Sequence, residues 1–112
     1  MKQAEKIAQA LYDKKARDIQ VLDIGELTSI GEYFVICSCG SSIQVKACAD
    51  EVEEKMAEDG IHAAHREGYQ SGDWILMDYG SVIVHIMQEQ TREFYDLERL
   101  WSDAKQVEID LK

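Results

Sequence analysis

The chain contains no proline, and glycine, which occurs seven times, falls between its periodic segments. Without proline-rich or low-complexity stretches, nothing in the sequence indicates a linker between domains. A length of 112 residues is enough for one hydrophobic core and too short for two. We therefore predict a single domain.

The sequence also lacks the features of an exported or membrane-bound protein. No apolar run approaches the roughly 18 residues that indicate a transmembrane helix. The N-terminal residues lead into an amphipathic stretch and not into a signal-peptide core. Its cysteines, Cys37, Cys39 and Cys48, are odd in number and lie among apolar residues, so we interpret them as small buried side chains in a reducing compartment. We expect a cytoplasmic protein.

Basic residues are scarce, with 12 lysines and arginines against 22 acidic residues and a net charge of −10. No basic patch is concentrated enough to attract DNA or another nucleic acid. Such a surface is compatible with a basic protein partner, because opposite potentials steer association. Solubility alone explains the charge equally well.

The hydrophobic pattern predicts an α/β (α+β) fold with the element order α-β-β-α-β-β-β-α. Because helices separate some strands and a hairpin at Gly80-Ser81 joins others, we predict a mixed sheet of about five strands with helices packed on it. The predicted helices cover residues 3–16, 41–59 and a last segment that begins at Thr91, and the predicted strands cover 19–24, 33–39, 61–66, 73–79 and 82–87.

The turn Gly40-Ser41-Ser42 is the feature most typical of an enzyme, since a glycine-serine turn at a helix N-terminus can hold a phosphate. Nucleotidyltransferases follow such a turn with two metal-binding carboxylates one residue apart. Here Asp78 stands alone, so a magnesium-bound triphosphate would lack its ligands. We interpret Ser41 and Gln44 as a capping box and keep a small nucleotidyltransferase using Gly40, Ser41 and Asp78 as the alternative.

No other pattern indicates a metal, a cofactor or a nucleophile. His62 and His65 are three residues apart, which would place them on opposite faces of a strand, and no third ligand lies nearby in the sequence. His85 lies in an apolar strand, where a histidine is more often part of the core than a catalytic base. The sequence therefore predicts no cofactor.

Trp74 begins a strand that is apolar on both faces. Alternation places Trp74, Leu76 and Asp78 on one face and Ile75, Met77 and Tyr79 on the other. Either helices cover both faces, or one face is left for a partner. In the last helix, Tyr95 lies off the predicted buried stripe Phe94–Leu97–Trp101 and near Arg92 and Arg99, a combination that suits the rim of an interface.

Several blocks resemble the ribosomal silencing factor (Iojap) family. They run in the family order over about residues 3–104, which gives a domain at 1–104 and a C-terminal tail at 105–112. The blocks with the most specific motifs are Gly72-Asp73-Trp74-Ile75-Leu76-Met77-Asp78-Tyr79-Gly80, Val82-Ile83-Val84-His85-Ile86-Met87 and Phe94-Tyr95-Asp96-Leu97-Glu98-Arg99-Leu100-Trp101.

The resemblance implies a nucleotidyltransferase-like fold without catalytic residues. It also implies binding to the large ribosomal subunit through ribosomal protein fourteen, a block on joining with the small subunit, and lower translation when nutrients are short. The residues that match the family's contact motif are Trp74, Ile75, Asp78 and Tyr95. Members also form homodimers. One departure is Ser81, where many members carry an aspartate, and a generic acidic adaptor remains the other alternative.

Overall fold

The computed structural model describes residues 1–112 and contains four helices and six strands. The helices are α1 (Lys2–Asp13), α2 (Ser42–Glu58), α3 (Glu89–Tyr95) and α4 (Leu97–Leu100). The strands are β1 (Arg17–Asp23), β2 (Tyr33–Cys39), β3 (His65–Glu67), β4 (Trp74–Asp78), β5 (Val82–Gln88) and β6 (Lys105–Val107). None of the helices combines the length and the apolar character that a membrane crossing requires.

All six strands form one mixed sheet in the order β3-β4-β5-β2-β1-β6. The central strands β2 and β5 are parallel, and the other neighbours are antiparallel. The predicted fold class is confirmed, although the sheet has six strands and not about five. The additional strand, β6, lies within the segment 105–112 that the sequence separated as a tail, and it pairs with β1. Its three residues are too few to show an alternating pattern.

Helices α1 and α2 cover one face of the sheet. Their apolar stripes, spaced three and four residues apart, pack with the sheet into a cluster of 21 buried residues. The stripe of α2 contains Val45, Cys48, Val52 and Met56, each fully buried, as the sequence predicted. All three cysteines are free and buried, which agrees with their interpretation as core side chains.

The turn between β2 and α2 is held by hydrogen bonds within the protein. Ser41 Oγ accepts from the backbone N–H of Gln44 at 3.1 Å, so Ser41 is the predicted N-cap. The reciprocal bond differs from a standard capping box, because Gln44 Oε1 accepts from the N–H of Gly40 at 2.9 Å. Gln44 Nε2 also donates to the carbonyls of Lys14 and Lys15. These bonds satisfy the turn without a ligand.

The opposite face carries a smaller core of seven buried residues beneath α3 and α4. The sequence predicted one helix that begins at Thr91, with a buried stripe formed by Phe94, Leu97 and Trp101. The prediction is wrong: α3 begins at Glu89, and the helix is interrupted at Asp96, whose backbone is left-handed with φ +47°. Phe94 and Leu100 are 81% and 73% exposed, while Leu97 is buried.

Candidate functional site

Strand β4 has one face in the core and one face partly open. Ile75 and Met77 are fully buried against α2, and Trp74, Leu76 and Asp78 are partly exposed on the other side. The alternation read from the sequence is therefore confirmed. Ile75, expected to contact a partner, has 0% exposure, so its side chain supports β4 from behind and offers no contact surface. The expectation for Ile75 is corrected on this point.

The side chain of Trp74 is packed on one side and open on the other. Its indole Nε1 donates to Nδ1 of His85 at 3.1 Å, and its ring lies 4.9 Å from the ring of Tyr95, inclined by 52°. His85 is 5% exposed, and burial lowers its pKa from 6.5 to about 4, so its imidazole is neutral near pH 7. Trp74 is therefore partly buried, and part of its ring remains exposed.

Helix α3 extends this aromatic group into solvent. Tyr95 is 50% exposed, and its ring meets that of Phe94 edge to face at 5.0 Å and 83°. Phe94, Tyr95 and Trp74 form a continuous surface, which we call the aromatic surface. Exposed aromatic rings next to one another are typical of interface centres and unusual elsewhere on a small protein. The sequence pointed to Trp74 and Tyr95 and missed Phe94.

Arg92 holds α3 on the sheet and does not belong to the rim that the sequence predicted. Its guanidinium is buried and donates to the Ser38 hydroxyl at 2.9 Å and to the Asp18 carbonyl at 2.6 Å. It also forms two bonds with Glu98 Oε2, at 3.0 and 2.7 Å. With these partners Arg92 has a structural role, because its charge is compensated inside the protein.

Asp78 lies at the other end of β4 from the aromatic surface. Its Oδ1 accepts from the N–H of Gly80 at 2.8 Å, which stabilises the β4–β5 hairpin. It lies four positions beyond Trp74 in the extended strand, roughly 13 Å away. The structure therefore brings Trp74 and Tyr95 together, and it places Asp78 on the same face but not next to them.

The residues of the nucleotidyltransferase alternative, Gly40 and Ser41 on one side and Asp78 on the other, lie near opposite ends of the strands. Cys39, which precedes Gly40, is in register with Gln88 at the end of β5, whereas Asp78 is in register with Ile83 near its start. Five residues of strand correspond to about 16 Å, too far for one nucleotide-binding centre. No three histidine, cysteine or carboxylate side chains converge as metal ligands would.

Comparisons with known proteins give one consistent family. A family model described as "Ribosomal silencing factor during starvation" matches residues 1–112. Ribosomal silencing factor RsfS of Bacillus subtilis is 39% identical over 103 residues, which cover 92% of this chain and 87% of that protein. The chloroplastic protein Iojap of Zea mays is 30% identical over 106 residues, 95% of this chain and 46% of that protein.

A solved structure agrees with these sequence matches. A crystal structure of a protein from Chromobacterium violaceum superposes with a TM-score of 0.88 at 35% identity, over 99% of this chain and 92% of that one. A second, from Bacillus halodurans, gives a TM-score of 0.81 at 36% identity, over 92% and 94% of the two chains. The fold described above is therefore shared with both.

Proposed function

The chain belongs to the ribosomal silencing factor family, and we propose that it binds the large ribosomal subunit through ribosomal protein fourteen. Bound there, it occupies the surface that meets the small subunit and blocks subunit joining. It acts in the cytoplasm and lowers translation when nutrients are limited. The family consists of ribosomal silencing regulators and is not an enzyme family, so the proposed mechanism is steric exclusion without chemistry.

The observation that carries the proposal is the contact between Trp74 and Tyr95. Trp74 is held by His85 from below and by Tyr95 from the side, yet part of its ring remains open. A side chain that is already ordered loses little conformational entropy when a partner covers it. Rigid aromatic residues of this kind commonly contribute 2 kcal/mol or more at the centre of an interface.

The charge of the chain supports a basic partner. With a net charge of −10, the protein attracts a positively charged surface and is repelled by exposed ribosomal RNA. Asp78 lies on the open face of β4, and one of its carboxylate oxygens already bonds to Gly80. We propose that its other oxygen meets an arginine or lysine of the partner.

Replacing the two aromatic anchors tests the proposal. We expect Trp74→Ala and Tyr95→Ala each to weaken co-sedimentation with purified large subunits by about thirtyfold, the equivalent of roughly 2 kcal/mol. Tyr12→Ala is the matched control, because Tyr12 is 47% exposed on α1, which covers the other face of the sheet.

Circular dichroism and thermal unfolding establish whether each variant is folded. If Trp74→Ala loses its structure, Trp74→Phe keeps a ring at the same position while removing the bond to His85. Folded Trp74 and Tyr95 variants that co-sediment as well as the Tyr12 control would contradict the proposed site. Light scattering of the isolated protein tests the homodimer that the family resemblance implies.

A further inference from the structure

An open cleft of about 460 Å³ lies between the start of β4 and α3, beside the aromatic surface. The three aromatic rings form one part of its lining, and polar side chains form the rest. The polar residues are Ser71, Asp73, Gln90 and Thr91. The cleft therefore combines ring faces with one carboxylate in a single open space.

The three rings are inclined to one another rather than stacked. Trp74 and Tyr95 are tilted by 52°, and Tyr95 and Phe94 meet at 83°, with centroids 4.9 and 5.0 Å apart. Rings at such angles present both faces and edges to the space between them. Because the face of an aromatic ring is electronegative and its edge is not, a cation that enters the cleft is attracted to the ring faces that border it.

The carboxylate of Asp73 is oriented by the end of β5. Gln88 Nε2 donates to Asp73 Oδ1 at 3.0 Å and to the Gly72 carbonyl at 3.1 Å, and the Gln88 N–H donates to the Asp73 carbonyl at 2.9 Å. None of the protein's salt bridges involves Asp73. Its carboxylate is therefore held in place by Gln88 and forms no salt bridge within the protein.

From this geometry we propose that the cleft receives an arginine or lysine side chain of the ribosomal partner. The cation lies against the aromatic surface and pairs with Asp73, while its aliphatic stem covers Phe94. The inference rests on the proposed function and adds the chemistry of the residue that is recognised. It also explains why Phe94, which contributes little to the core, is 81% exposed beside a fixed carboxylate.

An apolar side chain would fit this cleft less well. It would cover Asp73 and remove water from its carboxylate without supplying a donor, and burial of an unpaired charge is unfavourable. An acidic side chain would be repelled by Asp73 and by the net charge of −10. A cation with an aliphatic stem matches both parts of the lining.

A small-molecule titration tests the cleft without the ribosome. N-acetylarginine amide carries one guanidinium, and N-acetylleucine amide is the neutral control. The protein has two tryptophans, so an NMR spectrum of the nitrogen-15-labelled protein contains two indole signals, and Trp101 serves as an internal reference. We expect the arginine probe to shift the Trp74 signal, and Asp73→Asn to reduce the shift severalfold. Equal shifts from the neutral probe, or an unchanged shift in Asp73→Asn, would overturn the inference.

Co-sedimentation with large subunits tests whether the partner uses the cleft. We expect Asp73→Asn to weaken binding by about tenfold. Glu93→Gln removes the same charge from exposed Glu93 on α3, outside the cleft, and is expected to change binding little. Phe94→Ala should weaken binding roughly threefold or more, whereas Leu100→Ala, also exposed, should not.

The outcomes separate this inference from the proposed function. If Trp74→Ala and Tyr95→Ala lose binding while Asp73→Asn binds normally, the site is correct and the cleft does not receive a cation. Equal losses from Asp73→Asn and Glu93→Gln would indicate a general effect of charge and would also overturn the inference. Normal binding by Trp74→Ala and Tyr95→Ala would mean that the proposed function itself fails.

Discussion

At the scale of single residues, His85 determines how Trp74 is presented. Since Nδ1 of His85 accepts the indole N–H, the imidazole proton is on Nε2. The ring also meets Phe34 edge to face at 4.8 Å, which limits its rotation. His85 therefore acts as a positioning residue beneath the aromatic surface. The strand pattern alone identifies His85 as a core histidine but does not reveal this bond, which joins residues 11 positions apart.

The buried histidine makes stability depend on pH. Folding lowers the pKa of His85 from 6.5 to about 4, so between these values the unfolded chain binds the additional proton. The contribution of neutral His85 to the free energy of unfolding is fully present above pH 6.5, and it is lost as the pH falls toward 4. We expect a loss of about 3 kcal/mol from this residue. Urea unfolding from pH 7 to pH 4 should show a smaller decrease for His85→Asn than for the unchanged protein.

The comparison must be made as a difference between the two proteins, because carboxylates also titrate at the acidic end of this range. His62, which is exposed on the opposite side of the molecule, provides the control in His62→Asn. Identical pH profiles for His85→Asn and the unchanged protein would contradict a neutral buried His85.

The sequence correctly predicted the environment of a residue where the local pattern determines it. The prediction failed where contacts with distant segments determine whether a side chain is buried. Alternation along β4 correctly placed Trp74 and Ile75 on opposite faces, but it did not show which face is buried, and the family resemblance counted Ile75 among the contacts. Arg92 looked like a surface charge, since arginine is rarely buried. Its partners Asp18 and Ser38 lie 74 and 54 residues away in sequence, and no local pattern connects them.

At the scale of elements, the C-terminal helix shows a local preference overridden by packing. The stripe Phe94–Leu97–Trp101 fits a continuous helix, and neither glycine nor proline interrupts it. The structure instead breaks the helix at Asp96, and Arg92 on α3 then pairs with Glu98 on α4. Phe94 and Tyr95 lie at the end of α3, directly before this break, and both are exposed.

Substitution of Asp96 tests this break. Asp96 has φ +47° and ψ +60°, a left-handed conformation that is costly for branched side chains and free of strain for glycine. We expect Asp96→Val to reduce the free energy of unfolding by about 1–2 kcal/mol and Asp96→Gly to leave it nearly unchanged or to raise it. Denaturant titration of both variants measures the difference. Equal stabilities would show that the left-handed turn is not required.

At the scale of the whole molecule, the sequence predicted the order of the elements but not the arrangement of the sheet. Segments with long, regular patterns, such as α2 and β2, were located to within one or two residues. Strand pairing depends on contacts between distant segments, and nothing local indicates that β2 lies parallel to β5. The short edge strand β6 was missed for the same reason, because only its pairing with β1 identifies it.

Removal of residues 105–112 tests the contribution of this last segment. Val107, Ile109 and Leu111 pack against the main core, and Lys112 exchanges hydrogen bonds with Gln9. We expect the deletion to lower the free energy of unfolding by several kcal/mol, since it exposes apolar surface and the edge of β1. Urea unfolding measures the loss, and light scattering detects association through the free edge.

The double variant Ile109→Ala and Leu111→Ala separates the loss of apolar contacts from the exposure of the β1 edge. It removes apolar contacts while leaving the backbone of β6 paired with β1. We expect it to be destabilised but to remain free of edge-to-edge association. A deletion as stable as the unchanged protein would show that residues 105–112 are a dispensable tail.

The position of β4 near an edge has a consequence for amide hydrogen exchange. Its outer neighbour, β3, has only three residues, whereas β2 and β5 are seven residues long and lie at the centre of the sheet. The amides of β4 that face β3 therefore become accessible at a lower opening free energy than those of the centre. The amides of β4, the strand that carries Trp74, are therefore expected to be less protected from exchange than those of the central strands β2 and β5. A bound partner that covers Trp74 would slow amide exchange mainly in β4, and exchange in the rest of the sheet would change little.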